Sequence, residues 1–365
     1  MKPYNVTFIY KSGRKSRLSS NQEFPKEFFY GYHQFLKNFK TVNLIEYNEK
    51  VNILFKLIFK VIRKLSGLPI YSEKLLSIKN LQLLIKTDYL ILTNQNIGYS
   101  MMFLSRFLNL FRKINTTVFI MGVLDTSQNE SFRKKLFNKY LFSKSDNIIF
   151  LSHSEKKFAE KQYPKYCNKF YFLPFPVDLS FWNRKNTVDD SGKILFLGND
   201  LNRNYDLLKL IPQKIPQEKF VYITERISEK EVNQVNLELI NGSWNDSTLS
   251  DLQIKEIYSN AKLVILPLHN SKQPSGQSVA LQAMSMDIPV LISKTDGFWD
   301  SDKFINEENI IFVDSKDLDV WVHNIEKILN NFSLRKKISQ EAKKIVISGY
   351  DLDTFYKNFL RILIN

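Results

Sequence analysis

The sequence predicts an α/β protein of two Rossmann-like domains, each with a parallel sheet facing a shared cleft. Three observations lead there. At roughly 150 residues per domain, 365 residues make two domains. Short apolar runs of strand type alternate with helical spacing through both halves, which is the rhythm of βαβ units. A Pro-rich joint, Pro174-Phe175-Pro176-Val177-Asp178, separates the halves. It sets the domains at 1–176 and 177–349.

In the first half the apolar runs place strands at 6–10, 89–93, 117–121, 148–151 and 170–173. Helical spacing fills 98–112, 131–143 and 153–162. In the second half Lys193 to Gly198 is a buried-type strand ending in Gly, and a helical stretch follows near Arg203 to Leu210. Phe220 to Ile223 is the next strand. Leu249 to Asn260 has helical spacing, with Ser250-Asp251 as its capping signal. Lys262 to Pro267 is a strand, Ser275 to Met286 a helix and Ile288 to Ile292 a strand. Tyr350 to Ile364 closes the chain as an amphipathic helix rich in aromatics.

Composition narrows the function classes. Hydrophobic residues are 44% and charged residues 24%, an ordinary globular balance. Apolar runs stop well short of the roughly 18 residues that span a bilayer. Val6 to Tyr10 is too short for a signal h-region, so a cytoplasmic protein is expected. One cysteine, Cys167, excludes a disulfide framework and a cysteine-rich zinc site. The net charge of +15 is uneven: residues 1–180 carry 29 Lys/Arg against 12 Asp/Glu, and the rest is slightly acidic. The first half therefore expects an anionic partner.

Val51 to Leu65 suggests which one. On a helical wheel Asn52, Lys56, Lys60, Arg63 and Lys64 share an arc of roughly 120°, with Ile53 the one intruder, and apolar residues fill the remainder. That is the pattern of a helix lying in an anionic membrane surface, here the inner face. A core helix with a solvated basic stripe has the same pattern. Nucleic acid is not expected, because no zinc-finger, RNP-like or helix-turn-helix signature is present.

The chemistry concentrates at Gln273 to Met284. A strand ends, a polar loop follows, and Ser275, Gly276, Gln277 and Ser278 open a helix. Backbone N–H groups at such a start bind anions, and Gly276 admits a phosphate closely. Gln282 stands two turns after Ser275, where its amide suits sugar hydroxyls. A Ser-capped helix with an ordinary Gln reads the same way.

Ser275-Gly276, Leu281-Gln282-Ala283-Met284 and Ile288-Pro289-Val290 together resemble the nucleotide-sugar signature of family 4 (group 1) glycosyltransferases. The resemblance covers Lys193 to the end and implies the GT-B fold, with 350–365 crossing back to the first domain. It implies a retaining, metal-independent transfer of a sugar from a nucleotide-diphosphate donor to a lipid-linked or surface-glycan acceptor, with no separate cofactor. Gln282 stands where the signature has its second Glu, Pro274 where it has the first, and Asp287 where it has Gly. The family's basic group for the diphosphate falls on Arg203, and its nucleobase loop on Trp244 to Ser250. The usual His in the first domain is missing from Met121 to Asp125. Asp125, His153 and His269 are the candidates for its place.

Two further expectations concern the first half. Ser12-Gly13-Arg14-Lys15 follows the first strand and would open on the cleft by topology. Glu27 to Gly31 reads as acceptor-site wall or as a packed aromatic cluster. Two other functions fit the same residues: a nucleotide-sugar epimerase, which needs acids and bases in the cleft, and a non-catalytic nucleotide-sugar-binding or assembly protein.

Overall fold

A computed structural model describes residues 2–48, 50–110, 112–122, 132–184, 191–242 and 249–364. The chain divides into two compact units. One comprises Met1–Gln22, Phe28–Pro174 and Phe355–Asn365; the other comprises Glu23–Glu27 and Phe175–Thr354. The joint thus falls two residues earlier than the sequence suggests. Glu23–Glu27 belongs with the second unit, because the Lys26 N–H donates to Asp178 Oδ2 and Trp182 Nε1 donates to Glu27 Oε1.

In chain order the first unit holds β1 (Lys2–Tyr10), α1 (Arg14–Leu18), α2 (Tyr32–Asn38), β2 (Phe39–Glu46), α3 (Ile53–Ser66), α4 (Ile78–Ile85), β3 (Tyr89–Leu92) and α5 (Gln95–Leu108). It continues through β4 (Asn115–Ile120), α6 (Phe132–Lys144), β5 (Asn147–Phe150), α7 (His153–Gln162) and β6 (Phe170–Phe172). The strands pair in parallel in the order β2-β1-β3-β4-β5-β6. Val6, Phe8, Leu90, Ile91, Val118, Phe119, Ile148 and Ile149 are fully buried, as central parallel strands covered on both faces require. Helix α5 starts three residues before the apolar period suggests, because Asn94 accepts the Ile97 N–H at 3.1 Å and caps it there. Phe355 and Phe359, near the chain's end, pack on Phe119 of this unit. The Glu27–Gly31 stretch resolves into two parts: Phe29 and Tyr30 are buried aromatics of the first unit, while Glu27 is not.

Helix α3 meets its unit through Phe59 and Ile62. Arg63, read from the wheel as part of the basic arc, turns inward. It donates to Glu73 Oε1 at 2.6 Å and lies over the Tyr71 ring. Leu54, Leu57, Ile58, Val61 and Leu65 form a stripe in which every residue is at least 45% exposed.

The second unit holds β7 (Lys193–Leu197), α8 (Tyr205–Lys214), β8 (Phe220–Ile223), β9 (Leu237–Ile240), α9 (Asp251–Ser259) and β10 (Ala261–Leu266). It continues through α10 (Gln277–Ser285), β11 (Val290–Ser293), β12 (Ile311–Val313), α11 (Leu318–Leu329) and α12 (Phe332–Gly349). The last helix, α13 (Leu352–Ile364), begins in this unit and ends in the other. The parallel strands run β12-β11-β10-β7-β8-β9. Chain order therefore reverses between β7 and β10, and the loops leaving these two strands diverge around a topological switch point, where open α/β sheets bind ligands.

Candidate functional site

The switch point is where the second unit gathers its polar groups. After β7 the chain passes Gly198 and turns through Asp200 into Arg203. An antiparallel bridge from Arg203 to Leu268, and the Asn204 N–H donating to Pro267 O at 3.0 Å, bind this loop to the one leaving β10. Asn202 Nδ2 donates to Gln273 Oε1 at 3.0 Å and to Ser275 Oγ at 2.9 Å. The two loops predicted to carry the phosphate contacts are thus one hydrogen-bonded assembly.

Arg203 lies inside that assembly with 4% of its surface exposed. Two glycines make room for it. A Cβ at position 198 would stand 2.7 Å from Arg203 Nε, and one at position 276 would stand 3.0 Å from Nη1. Gly276 also has φ +80°, a left-handed conformation that other residues adopt at a cost. On one side Nε is 2.9 Å from Asp200 Oδ2. Among the described residues, buried Nη1 has no hydrogen-bond partner. A buried guanidinium nitrogen left unsatisfied is uncommon, and a ligand anion satisfies it best.

Gly276 is also the N-cap of α10, and no side chain caps that helix. Its first backbone N–H groups and Arg203 therefore converge on the same glycine, giving two independent anion-favouring features at one point. Ser275 and Ser278 are half-buried beside it, and Gln277 is buried. Gly297 keeps the loop in place, since a Cβ there would press within 2.6 Å of the Lys272 and Gln273 backbone.

Gln282 sits deeper, 5% exposed. Its Nε2 donates to Glu27 Oε1 at 2.9 Å, and its Oε1 accepts from Tyr258 OH at 3.2 Å. Glu27 is fully buried and also accepts Trp182 Nε1 at 2.6 Å. Burial pushes its carboxyl up to about 7, against the hydrogen bonds from Gln282 and Trp182, which favour the anion. Burial likewise holds the Tyr258 hydroxyl far above its usual range, so it stays protonated and donates. Nothing in the local sequence marks Glu27 as a partner of Gln282, because the two are 255 residues apart.

The other candidates lie elsewhere. His269 is exposed on the loop after β10, and its N–H donates to Asn202 O at 2.8 Å. His153 opens α7 in the first unit, with its ring stacked 3.5 Å from that of Phe172, and Ser152 caps the helix through the Glu155 N–H. Asp125 lies outside the described residues, as does most of the Trp244–Ser250 loop. In the Ser12–Lys15 loop, Glu46 Oε1 accepts the backbone N–H groups of Arg14 and Lys15, so a carboxylate already occupies the start of α1. Asp287 adopts φ +62°, which explains why the signature prefers Gly at that position.

Residues 236–345 match the family of glycosyl transferases group 1. An uncharacterized glycosyltransferase of Methanocaldococcus jannaschii is 30% identical over 109 residues, 30% of this chain and 27% of that protein. The capsular polysaccharide biosynthesis glycosyltransferase CapM of Staphylococcus aureus is 26% identical over 111 residues, 28% of each. The similarity thus spans little more than a quarter of these relatives' length. Over nearly the whole chain the fold is that of sucrose-phosphate synthase from Thermosynechococcus elongatus, with a TM-score of 0.70 at 12% identity, covering 99% of this chain and 98% of that one. Anabaena HepE, solved with UDP and glucose, superposes with a TM-score of 0.66 at 12% identity, covering 99% of this chain and 100% of that one. The chain therefore has the GT-B fold and resembles the group 1 glycosyltransferases.

Proposed function

We propose that the protein is a glycosyltransferase that takes its sugar from a nucleoside-diphosphate donor. The observation that carries this reading is the buried Nη1 of Arg203, unpartnered among the described residues, beside the uncapped start of α10. A diphosphate placed there satisfies both. In the retaining reaction that the resemblance implies, the acceptor oxygen forms a bond to the sugar's anomeric carbon as the bond to the diphosphate breaks. The acceptor proton passes to the departing phosphate oxygen. The protein's task is then to stabilise the charge growing on the diphosphate, which suits an arginine and a helix N-terminus.

The acceptor we propose is a surface or lipid-linked glycan, delivered at a membrane. CapM's role in capsular polysaccharide fits it, as does the exposed apolar stripe of α3 with Lys56, Lys60 and Lys64 alongside. No helix among the described residues is long and apolar enough to cross a membrane, so the contact would be peripheral.

Calorimetry with UDP, GDP and ADP tests the donor site. One of them should bind with or without Mg²⁺, and Arg203→Ala should weaken that binding at least about tenfold, the effect of losing a charge-assisted hydrogen bond. Unchanged affinity in a folded Arg203→Ala variant would remove Arg203 from the site.

A further inference from the structure

We propose that Glu27 is a positioning residue of the donor site, acting through Gln282 on the hydroxyl-bearing part of the donor. The inference rests on the reading of the second unit as a nucleoside-diphosphate site, and it adds a residue that lies far outside the signature.

A fully buried carboxylate is an expensive group to keep. Glu27 Oε1 accepts two hydrogen bonds, from Trp182 and Gln282, but buried Oε2 has no partner among the described residues. Packing alone would favour an apolar or amide side chain here. The surroundings nevertheless hold the carboxylate in place. Asp178 anchors its segment, accepting the Lys26 N–H at 3.1 Å through Oδ2 and the N–H and O–H of Ser180 through Oδ1.

What the carboxylate does follows from hydrogen-bond chemistry. An ionised carboxylate only accepts, so it forces the NH₂ end of Gln282 toward itself. Tyr258, donating to the amide oxygen, enforces the same orientation from the other end. The amide is left with one N–H and one lone pair pointing in fixed directions. Gln282 lies on α10, whose first turn carries the phosphate site, so those two groups are set at a fixed offset from the diphosphate. A donor and an acceptor held together are what a vicinal diol of a ribose or sugar requires. Where the signature places a carboxylate on the helix, this chain places an amide there and supplies the carboxylate from residue 27.

The test uses the full-length protein and whichever of UDP, GDP and ADP it binds most tightly, with inorganic pyrophosphate as a probe that lacks hydroxyls. At pH 8, where Glu27 is ionised, Glu27→Gln, close to isosteric, should fold cooperatively, melt no lower than wild type and weaken nucleoside-diphosphate binding about tenfold, while pyrophosphate affinity stays within twofold. Gln282→Glu alone should weaken binding as well, by setting two carboxylates against each other. The double variant Glu27→Gln, Gln282→Glu rebuilds the amide–carboxylate contact with the roles exchanged and should recover most of the loss. If Glu27→Gln binds the nucleotide as wild type does, or loses pyrophosphate in parallel, or if the double variant gains nothing, the positioning role is overturned while the donor reading stands. If the wild-type protein binds none of the nucleotides, the donor reading itself falls, and this inference with it.

Discussion

Asp287 shows how a single residue can carry a structural requirement that its side chain does not favour. The turn between α10 and β11 needs a left-handed residue, and Asp287 supplies φ +62°. Asp tolerates this better than most residues, yet among the described residues its buried Oδ1 has no hydrogen-bond partner. The neighbouring Arg184 donates to the carbonyls of Ala261 and Asp287, contacts that any residue at 287 keeps. Asp287→Gly should therefore raise stability by about 0.5–1 kcal/mol. Asp287→Val, β-branched in a left-handed turn, should lower it by roughly 1–2 kcal/mol. Urea midpoints of the two variants against wild type would decide, and a loss on Asp287→Gly would mean that the carboxylate has a stabilising role. The departure from Gly is visible in the sequence; the backbone angle that explains it is not.

At the scale of elements, α3 turns a wheel diagram into a surface. Its inward face is Phe59, Ile62 and Arg63, so Leu54, Leu57, Ile58, Val61 and Leu65 form an exposed stripe with Lys56, Lys60 and Lys64 beside it, while Ile53 and Phe55 are exposed outside that stripe. Each basic residue near an anionic bilayer contributes about 1 kcal/mol. In vesicle sedimentation the protein should bind anionic lipid, release in high salt, and lose binding on charge reversal at Lys56, Lys60 and Lys64 while nucleotide binding persists. Arg63 belongs to the helix's own packing, and reversing it should instead lower stability. Binding to neutral vesicles that matches anionic ones would remove the electrostatic part of the proposal. The same scale shows which elements can be read from sequence. Strands β1, β3, β4, β7, β8 and β10 are covered on both faces and announce themselves as continuous apolar runs. Strands β2, β9 and β12 lie at sheet edges, and β2 and β9 mix polar with apolar residues, as in Phe39-Lys40-Thr41-Val42-Asn43. A period-based reading passes over them.

At the scale of the whole molecule, the sequence shows two βα halves and the candidate donor loop at 273–284, because strand, loop and helix start are contiguous there. It does not show that Glu23–Glu27 leaves the first half to complete the second unit, since that contact spans 255 residues. This segment also makes the molecule's stability depend on pH. Burial raises the Glu27 carboxyl to about 7, with nearby Asp178 adding to the rise, whereas in the unfolded chain it titrates near the ordinary Glu value. The folded state thus binds the proton more tightly than the unfolded one. The stabilisation is fully present below the unfolded pKa, declines as pH rises toward 7, and is gone above it. The wild-type protein should lose on the order of 1–3 kcal/mol from this group across that range. Glu27→Gln, which mimics the neutral acid at every pH, should not. The melting temperature of Glu27→Gln relative to wild type should therefore climb from about pH 4.5 to 7 and level off beyond. A difference that is flat across this range would mean that Glu27 is ionised throughout, held by Trp182 and Gln282 strongly enough to offset its burial.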